Sequence, residues 1–364
     1  MIFNFIAWYK DMLEKLREKI DQIDDELLKL FNERIAVVQE VGRFKRTTQA
    51  PIYRPEREKA IIDRLSKTHK GPLTKAAIEA IFLEIFAISR NYELPERIAY
   101  LGPDGSFTHQ AAESRYGAIS DYIALDSISA VFESVATGRV KYGVVPIENN
   151  QEGTVQETID YLGTHQLSIV AEMALPIHFS IATLEEDLSQ VTTIFSRDIA
   201  FRQCKNFIND YFDHKVKLVP VSSTSRACQM TLKEKNSAAI CAPIAAREYK
   251  VPILYNNIQD SADNTTRFLI LSESFYNEPS GEDKTSLIAK LPDEAGALVA
   301  FLQKFQSAGI NLCKVESRPA KMGTHFKYIF FIELDGHFHD PEVQKTIAPY
   351  KDQIKWLGSY ARMC

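Results

Sequence analysis

The sequence has few cysteines, and none is spaced as a metal site or a disulfide framework requires. Its five cysteines form an odd set without a CxxC pair, which argues against a zinc site and against paired disulfides. A reducing compartment is the simplest expectation, so we predict a cytoplasmic protein with no bound metal. The cysteines are Cys204, Cys228, Cys241, Cys313 and Cys364.

The sequence also lacks a long apolar run and an excess of one charge. No stretch approaches the ~18 uninterrupted apolar residues of a membrane span. The apolar opening at residues 1–9 lacks a basic segment and a cleavage site, so we interpret it as the lead-in to a helix. Because 43 Lys and Arg face 48 Asp and Glu without a block of either sign, we expect small-molecule partners, with no nucleic acid and no membrane.

The length and apolar content predict a protein of several domains. The chain has 364 residues, and single cores stop growing near about 250–300 residues. Its apolar fraction of 45% is typical of globular proteins and is sufficient for a buried core. Two or three domains are therefore expected.

Residues 1–94 are expected to be all helical. They contain only two of the 15 glycines, and their apolar residues recur at helical spacing from Leu13 to Leu30. The pattern predicts helices over about 11–46, 55–67 and 74–93. A helix of about 36 residues is about 54 Å long, more than a lone small domain needs, so we expect it to pair with a second protomer.

After residue 95 the pattern changes to short β-rich runs that alternate with helices, which predicts an α/β domain with a largely parallel sheet. Beyond a polar hinge at 277–283, the predicted order strand–helix–strand–strand–helix–strand is the ferredoxin-like arrangement. The strands predicted before the hinge are 98–101, 142–146, 167–170, 238–241 and 267–271, and the helices are 107–116, 127–138 and 197–212.

Several cations on the predicted helices are candidates for binding a small polyanion. Arg34 and Lys45 are eleven residues apart, which brings them within about 20° of one helix face. Arg17 lies about 100° from that face, so a partner's helix would have to supply it. The alternative, that these are solvated charges on amphipathic helices, stays open. The polar candidates on the next two helices are Arg57, Glu58, Ser89 and Glu93.

These positions belong to a longer pattern over residues 11–93. Its parts are Leu16-Arg17-x-x-Ile20-Asp21-x-Ile23-Asp24, Leu30-x-x-Glu33-Arg34, Val41-Gly42-x-x-Lys45 and Tyr53-Arg54-Pro55-x-Arg57-Glu58. The segment resembles the all-helical chorismate mutase domain. The resemblance implies an intertwined dimer in which Arg17 of one subunit completes a site on the other. The residues implied on that other subunit are Arg34, Lys45, Arg57, Glu58, Ser89 and Glu93.

The resemblance also implies a mechanism and exposes a difference. Such an enzyme rearranges chorismate to prephenate without covalent catalysis, because cations hold the two carboxylates in a reactive conformer. The family commonly has Gln where this chain has Glu93, and an ionised carboxylate cannot donate a hydrogen bond to the breaking ether. We hypothesise that Glu93 acts in its protonated form.

Three polar turns in the next segment form a second pattern. They are Gly102-Pro103-Asp104-Gly105-Ser106-Phe107, Glu148-Asn149-Asn150-Gln151-Glu152-Gly153-Thr154-Val155 and Thr265-Thr266-Arg267-Phe268. Together they resemble prephenate dehydratase over residues 97–272. The resemblance implies two α/β lobes, like those of periplasmic binding proteins, with the substrate in the cleft between them. It places Asn149, Ser196, Gln203 and Thr266 at the active site, with Thr265 and Arg267 beside it.

The implied reaction, loss of carbon dioxide and hydroxide from prephenate, restores an aromatic ring and therefore needs no cofactor. We expect Thr266 to donate a hydrogen bond to the leaving oxygen. His109 is an alternative base, although a lone His near a helix start is more often structural. Relatives usually read Tyr-Ser-His-Pro-Gln where this chain has residues 195–199, Phe-Ser-Arg-Asp-Ile.

Two motifs in residues 284–364 resemble the phenylalanine-binding elements of the ACT domain, an α+β ferredoxin-like fold. The resemblance implies that L-phenylalanine binds between two ACT domains and inhibits the dehydratase by feedback. The motifs are Gly296-Ala297-Leu298-Val299 and Glu316-Ser317-Arg318-Pro319.

The predicted protein is thus a cytoplasmic enzyme of phenylalanine biosynthesis with domains at 1–94, 97–272 and 284–364. We expect it to act on chorismate and prephenate, to respond to L-phenylalanine, and to form a homodimer or homotetramer. The alternative is an amino-acid-sensing regulatory protein that keeps these folds and has lost one or both activities. Retention of five residues argues against it, since a pure sensor has no use for them together: Arg34, Lys45, Arg57, Asn149 and Thr266.

Overall fold

The computed structural model describes residues 2–48, 54–68, 70–93, 96–117, 120–212, 216–273, 276–319 and 328–363. Four positions used above, Tyr53, Leu94, Pro95 and Cys364, lie outside the described residues. Within the described ranges, no helix has both the length and the apolar character to span a membrane.

The first part of the chain is helical, as its spacing predicts. The helices are α1 (Ile2–Thr48), α2 (Pro55–Thr68) and α3 (Lys75–Glu93). Helix α1 begins at Ile2 rather than near Asp11, because residues 2–9 contain neither Gly nor Pro to stop it. It packs on α3 and leaves a row of apolar side chains between 44% and 60% exposed. The row contains Leu16, Ile20, Ile23, Leu27, Leu30 and Val37.

The next part forms two α/β lobes. The strands of the first lobe are β1 (Arg97–Leu101), β2 (Asp121–Leu125), β3 (Tyr142–Asn149), β4 (Gly153–Thr154), β5 (Ser168–Pro176) and β11 (Thr265–Ser272). Its helices are α4 (Phe107–Tyr116), α5 (Ile128–Ala136) and α6 (Gln156–Thr164). The strands of the second lobe are β6 (Ser180–Thr183), β7 (Thr193–Ser196), β8 (Lys217–Pro220), β9 (Ser237–Cys241) and β10 (Ile253–Tyr255). Its helices are α7 (Asp198–Gln203), α8 (Lys205–Phe212), α9 (Thr224–Thr231) and α10 (Pro243–Tyr249).

Both sheets are mixed, so the prediction of a largely parallel sheet was wrong. The first has the order β2-β1-β3-β11-β5 with β4 beside β3, and the second has the order β10-β6-β9-β7-β8. The chain leaves the first lobe after β5 and returns as β11, which pairs antiparallel to both β3 and β5. A buried apolar run does not show whether its strand is parallel or antiparallel to its neighbours. Strands of both orientations have the same apolar sequence pattern once both faces are covered.

The helix predicted over 197–212 is two helices, α7 and α8, separated at Cys204. The carboxylate of Asp260 accepts hydrogen bonds from the backbone N–H groups of Lys205 and Asn206 at 3.0 Å each. It therefore caps a new helix start. Because this cap comes from a distant part of the chain, local periodicity did not reveal it.

The last part has the predicted βαββαβ order. Its elements are β12 (Asp283–Ala289), α11 (Ala297–Ser307), β13 (Leu312–Pro319), β14 (Tyr328–Asp335), α12 (Pro341–Ile347) and β15 (Ile354–Ala361). The sheet order is β13-β14-β12-β15, and every pairing is antiparallel.

This last sheet is covered on both faces. One face packs on α11 and α12 around Phe301 and Phe305, and the other contributes Ile288 and Phe331 to the core of the first lobe. Gly358 of β15 lies so close to β5 that an added Cβ would stand 2.1 Å from the carbonyl oxygen of Ile169. The sheet therefore forms a rigid support beneath the first lobe.

Candidate active sites

The first candidate site lies between α1 and α3. The guanidinium of Arg34 donates a hydrogen bond to the Ser89 hydroxyl, and Lys45 Nζ lies 2.8 Å from Glu93 Oε1. Gly42 allows the close approach, because a Cβ there would stand 2.7 Å from the backbone oxygen of Glu93. Two cations and two polar partners therefore converge, as their helical spacing predicts.

Of the remaining helical candidates, Glu58 lies close enough to Arg34 for their charges to interact, whereas Arg17 and Arg57 do not join the cluster. Arg17 and Arg57 are exposed, whereas Glu58 is buried. The Glu58 carboxylate pairs with Arg90 of α3 and lies 2.8 Å from Arg115 Nη2 of α4. This ion-pair cluster joins the helical part to the first lobe. Sequence reasoning missed it because Arg115 lies far along the chain.

The second candidate site is the cleft between the two lobes. A cavity of about 330 Å³ there is lined by the ends of β3 and β11, the start of α4, and α7. Its polar lining consists of hydroxyl and amide groups with one cation and one carboxylate among the described residues. These lining residues are Ser106, Thr108, Asn149, Glu152, Arg197, Gln203, Ser222, Ser223, Thr224, Asn264 and Thr266.

Asn149 and Thr266 are direct partners across β3 and β11. The Asn149 side chain donates to Thr266 Oγ1 at 2.8 Å and to Asn264 Oδ1 at 2.7 Å. Its own oxygen accepts from the backbone N–H groups of Gln151 and Glu152 at 2.9 and 3.0 Å, which fixes the orientation of the amide. Because Thr266 Oγ1 already accepts, its hydroxyl proton is available to donate into the cleft.

A chain of side-chain amides crosses the cleft. Gln203 of the second lobe donates to Gln151 Oε1 and accepts from Asn264 Nδ2, each at 3.1 Å. Asn264 in turn accepts from Asn149. The predicted residues Asn149, Gln203 and Thr266 therefore form one hydrogen-bonded group that spans both lobes.

Two family models match the chain, and they divide it as the two sites do. Prephenate dehydratase matches residues 98–275 and chorismate mutase type II matches residues 16–94. A bifunctional chorismate mutase/prephenate dehydratase from Aquifex aeolicus is 36% identical over 96% of this chain and 98% of its own length. The Pseudomonas aeruginosa protein of the same name is 37% identical over 97% and 98%.

The chain belongs to the bifunctional chorismate mutase/prephenate dehydratase family. A solved prephenate dehydratase from Arthrobacter aurescens, in complex with L-Phe, is 34% identical with a TM-score of 0.67. That similarity covers 73% of this chain and 90% of the other. It supports the two-lobe architecture of the dehydratase part.

Within the dehydratase signature, the side chains of Thr265 and Arg267 do not line the cleft, although the Thr265 carbonyl accepts a hydrogen bond from the Asn149 amide at 3.2 Å. Successive residues of a strand face opposite sides, so only Thr266 lines the cleft. Arg267 is buried against the last sheet, with ion pairs of 2.7 Å to Glu148 and 2.8 Å to Glu333. Its guanidinium therefore links the first lobe to the last sheet.

Ser196 and the loop after it also differ from the expectation. Ser196 is fully buried, and its hydroxyl donates to the Ile240 carbonyl at 2.6 Å instead of lining the cleft. Strand β7 ends at Ser196 and α7 starts at Asp198, so the altered family motif still forms a regular strand-to-helix turn. The exposed residue between them, Arg197, lines the cavity, and sequence reasoning did not choose it.

His109 is structural in this family member. Its ring stacks on Tyr100 with centroids 4.6 Å apart, and its Nδ1 accepts from the Gly105 N–H at 3.1 Å. Burial lowers the pKa of His109 below its usual 6.5, which keeps the ring neutral and able to accept that bond. The side chain does not line the cleft.

The two motifs of the last unit lie on α11 and β13. Gly296 precedes α11 in the left-handed region with φ 85°, and Val299 is 58% exposed. Strand β13 alternates, so Glu316 and Arg318 are half-buried while Ser317 and Pro319 are exposed. Arg318 contacts Asp160 of α6 at 3.1 Å. One of the two half-buried residues of the β13 motif is therefore bonded to the dehydratase part. Ala297 and Leu298 begin α11.

Proposed function

We propose that the chain catalyses two consecutive reactions: rearrangement of chorismate to prephenate between α1 and α3, and conversion of prephenate to phenylpyruvate in the interlobe cleft. The observation that carries this proposal is the presence of both polar clusters, Arg34–Ser89 with Lys45–Glu93 and Asn149–Thr266–Gln203, in one chain. The matching relatives have the same pair of activities in their names.

In the mutase reaction an ether C–O bond breaks as a C–C bond forms, so the protein needs only to position and stabilise charge. Arg34 and Lys45 supply two of the cations for the substrate carboxylates. Arg57 of the same chain and Arg17 of a second protomer would complete the site when that protomer packs on the exposed apolar row of α1. That row supports an intertwined homodimer, because burying it in a partner removes apolar surface from water.

In the dehydratase reaction the C–C bond to the ring carboxylate breaks, carbon dioxide leaves, and the bonding pair enters the ring. Hydroxide leaves from the opposite ring carbon and takes up a proton to become water. Asn149 orients Thr266, whose hydroxyl donates to the departing oxygen. We propose no cofactor, because restored aromaticity supplies the driving force.

We further propose domains at 1–94, 97–272 and 284–364, the last an ACT domain that binds L-phenylalanine through its α11 and β13 motifs. The L-Phe complex of the related dehydratase supports this role. The unpaired cysteines favour a cytoplasmic location. Two dimers could pair further, so homotetramers belong to the same proposal.

The decisive experiment gives purified protein chorismate or prephenate without an added cofactor and follows phenylpyruvate. Both substrates should yield it, and added L-phenylalanine should slow the second step. If neither substrate yields phenylpyruvate, the dehydratase function is refuted and the amino-acid-sensing alternative is left. Equal rates with and without L-phenylalanine would refute the regulatory role.

Arg197 is expected to bind one carboxylate of prephenate, because it is the cation among the described cavity-lining residues. Arg197→Gln should raise the KM for prephenate about 10- to 150-fold, in line with the roughly 1.5–3 kcal/mol of a hydrogen bond to a charged group, and change kcat little. Arg202→Gln, an exposed change on α7, the helix that Arg197 precedes, is the matched control. An unchanged KM for Arg197→Gln would contradict this assignment.

Glu93→Gln is expected to keep the mutase active, because the amide of Gln donates a hydrogen bond to the breaking ether oxygen at every pH, whereas a carboxyl group donates only when protonated. Glu93→Gln should flatten the pH profile, measured as kcat/KM for chorismate.

Glu96 is the necessary control. Burial raises its pKa to about 7, and the nearby charge of Glu93 adds to the effect. If Glu93 is the titrating donor, Glu96→Gln should leave the pH dependence of kcat/KM for chorismate unchanged. If the pH profile of kcat/KM is flat in Glu96→Gln and unchanged in Glu93→Gln, the titrating group is Glu96 and not Glu93.

A further inference from the structure

Strand β13 of the last unit contacts the first lobe through three alternate side chains. Lys314, Glu316 and Arg318 are half-buried and face the lobe, whereas the residues between them are exposed. Lys314 pairs with Glu148, and Arg318 forms a two-pronged ion pair with Asp160 of α6. One face of β13 therefore lies against the dehydratase.

The contact of Lys314 lies beside the catalytic group. Glu148 immediately precedes Asn149, and β3 and β4 pair as Glu148 with Thr154 and Asn149 with Gly153. Lys314 Nζ pairs with Glu148 and lies 3.3 Å from Thr154 Oγ1, so it contacts both strands of this hairpin. The opposite side of the same hairpin presents the Asn149 amide to the cleft.

The turn of the hairpin extends the contact to the second lobe. The Asn149 oxygen accepts from the N–H groups of Gln151 and Glu152, and the Gln151 side chain accepts from Gln203. A displacement of the hairpin would therefore move the amide next to Thr266 and the amide bridge across the cleft together.

Glu148 is suited to transmit a change at Lys314. Burial opposes its ionisation, but the hydrogen bond from Lys314 and the charge of Arg267 outweigh burial and hold the pKa of Glu148 below its usual value. Arg267 is itself fixed by Glu172 and Glu333, each at 2.8 Å. Removing Lys314 would leave the carboxylate drawn toward Arg267 alone.

We propose that Lys314 is a positioning residue for the dehydratase reaction, acting through Glu148 and Thr154 on the hairpin that holds Asn149. A ligand bound on β13 would alter the cleft through the same contact. This inference rests on the proposed dehydratase function and specifies how the last unit acts on it.

The test compares wild type with Lys314→Gln. We expect kcat for prephenate to fall about 10-fold or more with little change in KM, since misplacing a catalytic group by about 1 Å can cost on the order of 10²-fold. Inhibition by L-phenylalanine should weaken in the same variant. Lys314→Arg should restore much of kcat, and Lys304→Gln, an exposed change on α11, is the matched control.

A double variant tests the route. If Lys314 acts through Glu148, Lys314→Gln with Glu148→Gln should lose no more activity than Glu148→Gln alone. Chorismate mutase activity, measured on the same samples, reports whether each variant is folded. Additive losses, or a Lys314→Gln kcat within twofold of wild type, would overturn the proposal. An inactive wild type would instead refute the proposed function itself.

Discussion

Arg34→Ala is expected to reduce chorismate mutase activity by about 10²–10³-fold, the range found when one preorganised charge-stabilising donor is removed. Arg34 lies half-buried between α1 and α3, where its guanidinium donates to Ser89 and lies over the Phe86 ring. These contacts hold it ready for a carboxylate, and alanine leaves nothing to replace the charge. The measurement is kcat/KM for the disappearance of chorismate.

The same variant should keep dehydratase activity within about twofold of wild type when prephenate is supplied, because the contacts of Arg34 with Ser89 and Phe86 lie within the helical part. The interlobe cleft contains no residue of α1 among its described lining. Arg43→Ala, an exposed change on the same helix, is the matched control. Normal mutase activity in Arg34→Ala, or equal loss in Arg43→Ala, would contradict the assignment.

Helical periodicity was sufficient to predict which side chains share a helix face in the first cluster. Arg34 and Lys45 lie on one face of α1, and Ser89 and Glu93 lie on one face of α3, so the cluster follows once the two helices pack. Periodicity did not predict that Glu58 would be buried against Arg115, because that contact depends on how the helical part docks on α4. Local patterns do not contain such distant packing.

Strand alternation explains the largest correction at the second site. Thr265, Thr266 and Arg267 are consecutive, so only the middle residue faces the cleft when the first and third face the last sheet. The alternate facing of these three strand residues could be read from the sequence, but the resemblance to the family motif placed all three at or beside the site. Which face of β11 the last sheet covers could not be predicted, because it depends on the docking of β12 to β15.

Arg197 was missed for a different reason. Relatives usually have His there, so the resemblance carried no role onto this position. Charge balance within the lining could have indicated it, since a dicarboxylate substrate needs a cation and the motif cation Arg267 is paired with Glu148 and Glu333 instead. That inference required knowing which residues share the cleft.

Thr266→Val is expected to lower dehydratase kcat by about 10²–10³-fold, because it removes the donor to the departing oxygen and preserves shape. Valine is β-branched like threonine and suits strand β11. Asn149 would keep its bonds to Asn264 at 2.7 Å and to the Thr265 carbonyl at 3.2 Å, so the amide should stay in place. The measurement is phenylpyruvate formation from saturating prephenate.

Thr266→Ser separates the hydroxyl from the rest of the side chain. Serine retains the donor, so we expect it to recover most of the activity that valine loses, with mutase activity normal in both variants. If both variants were equally impaired, the methyl group rather than the hydroxyl would be the functional part of Thr266. If Thr266→Val kept wild-type kcat, the leaving oxygen would need another donor from the cleft, and Ser106 and Thr108 are the hydroxyls of α4 and its cap that line it.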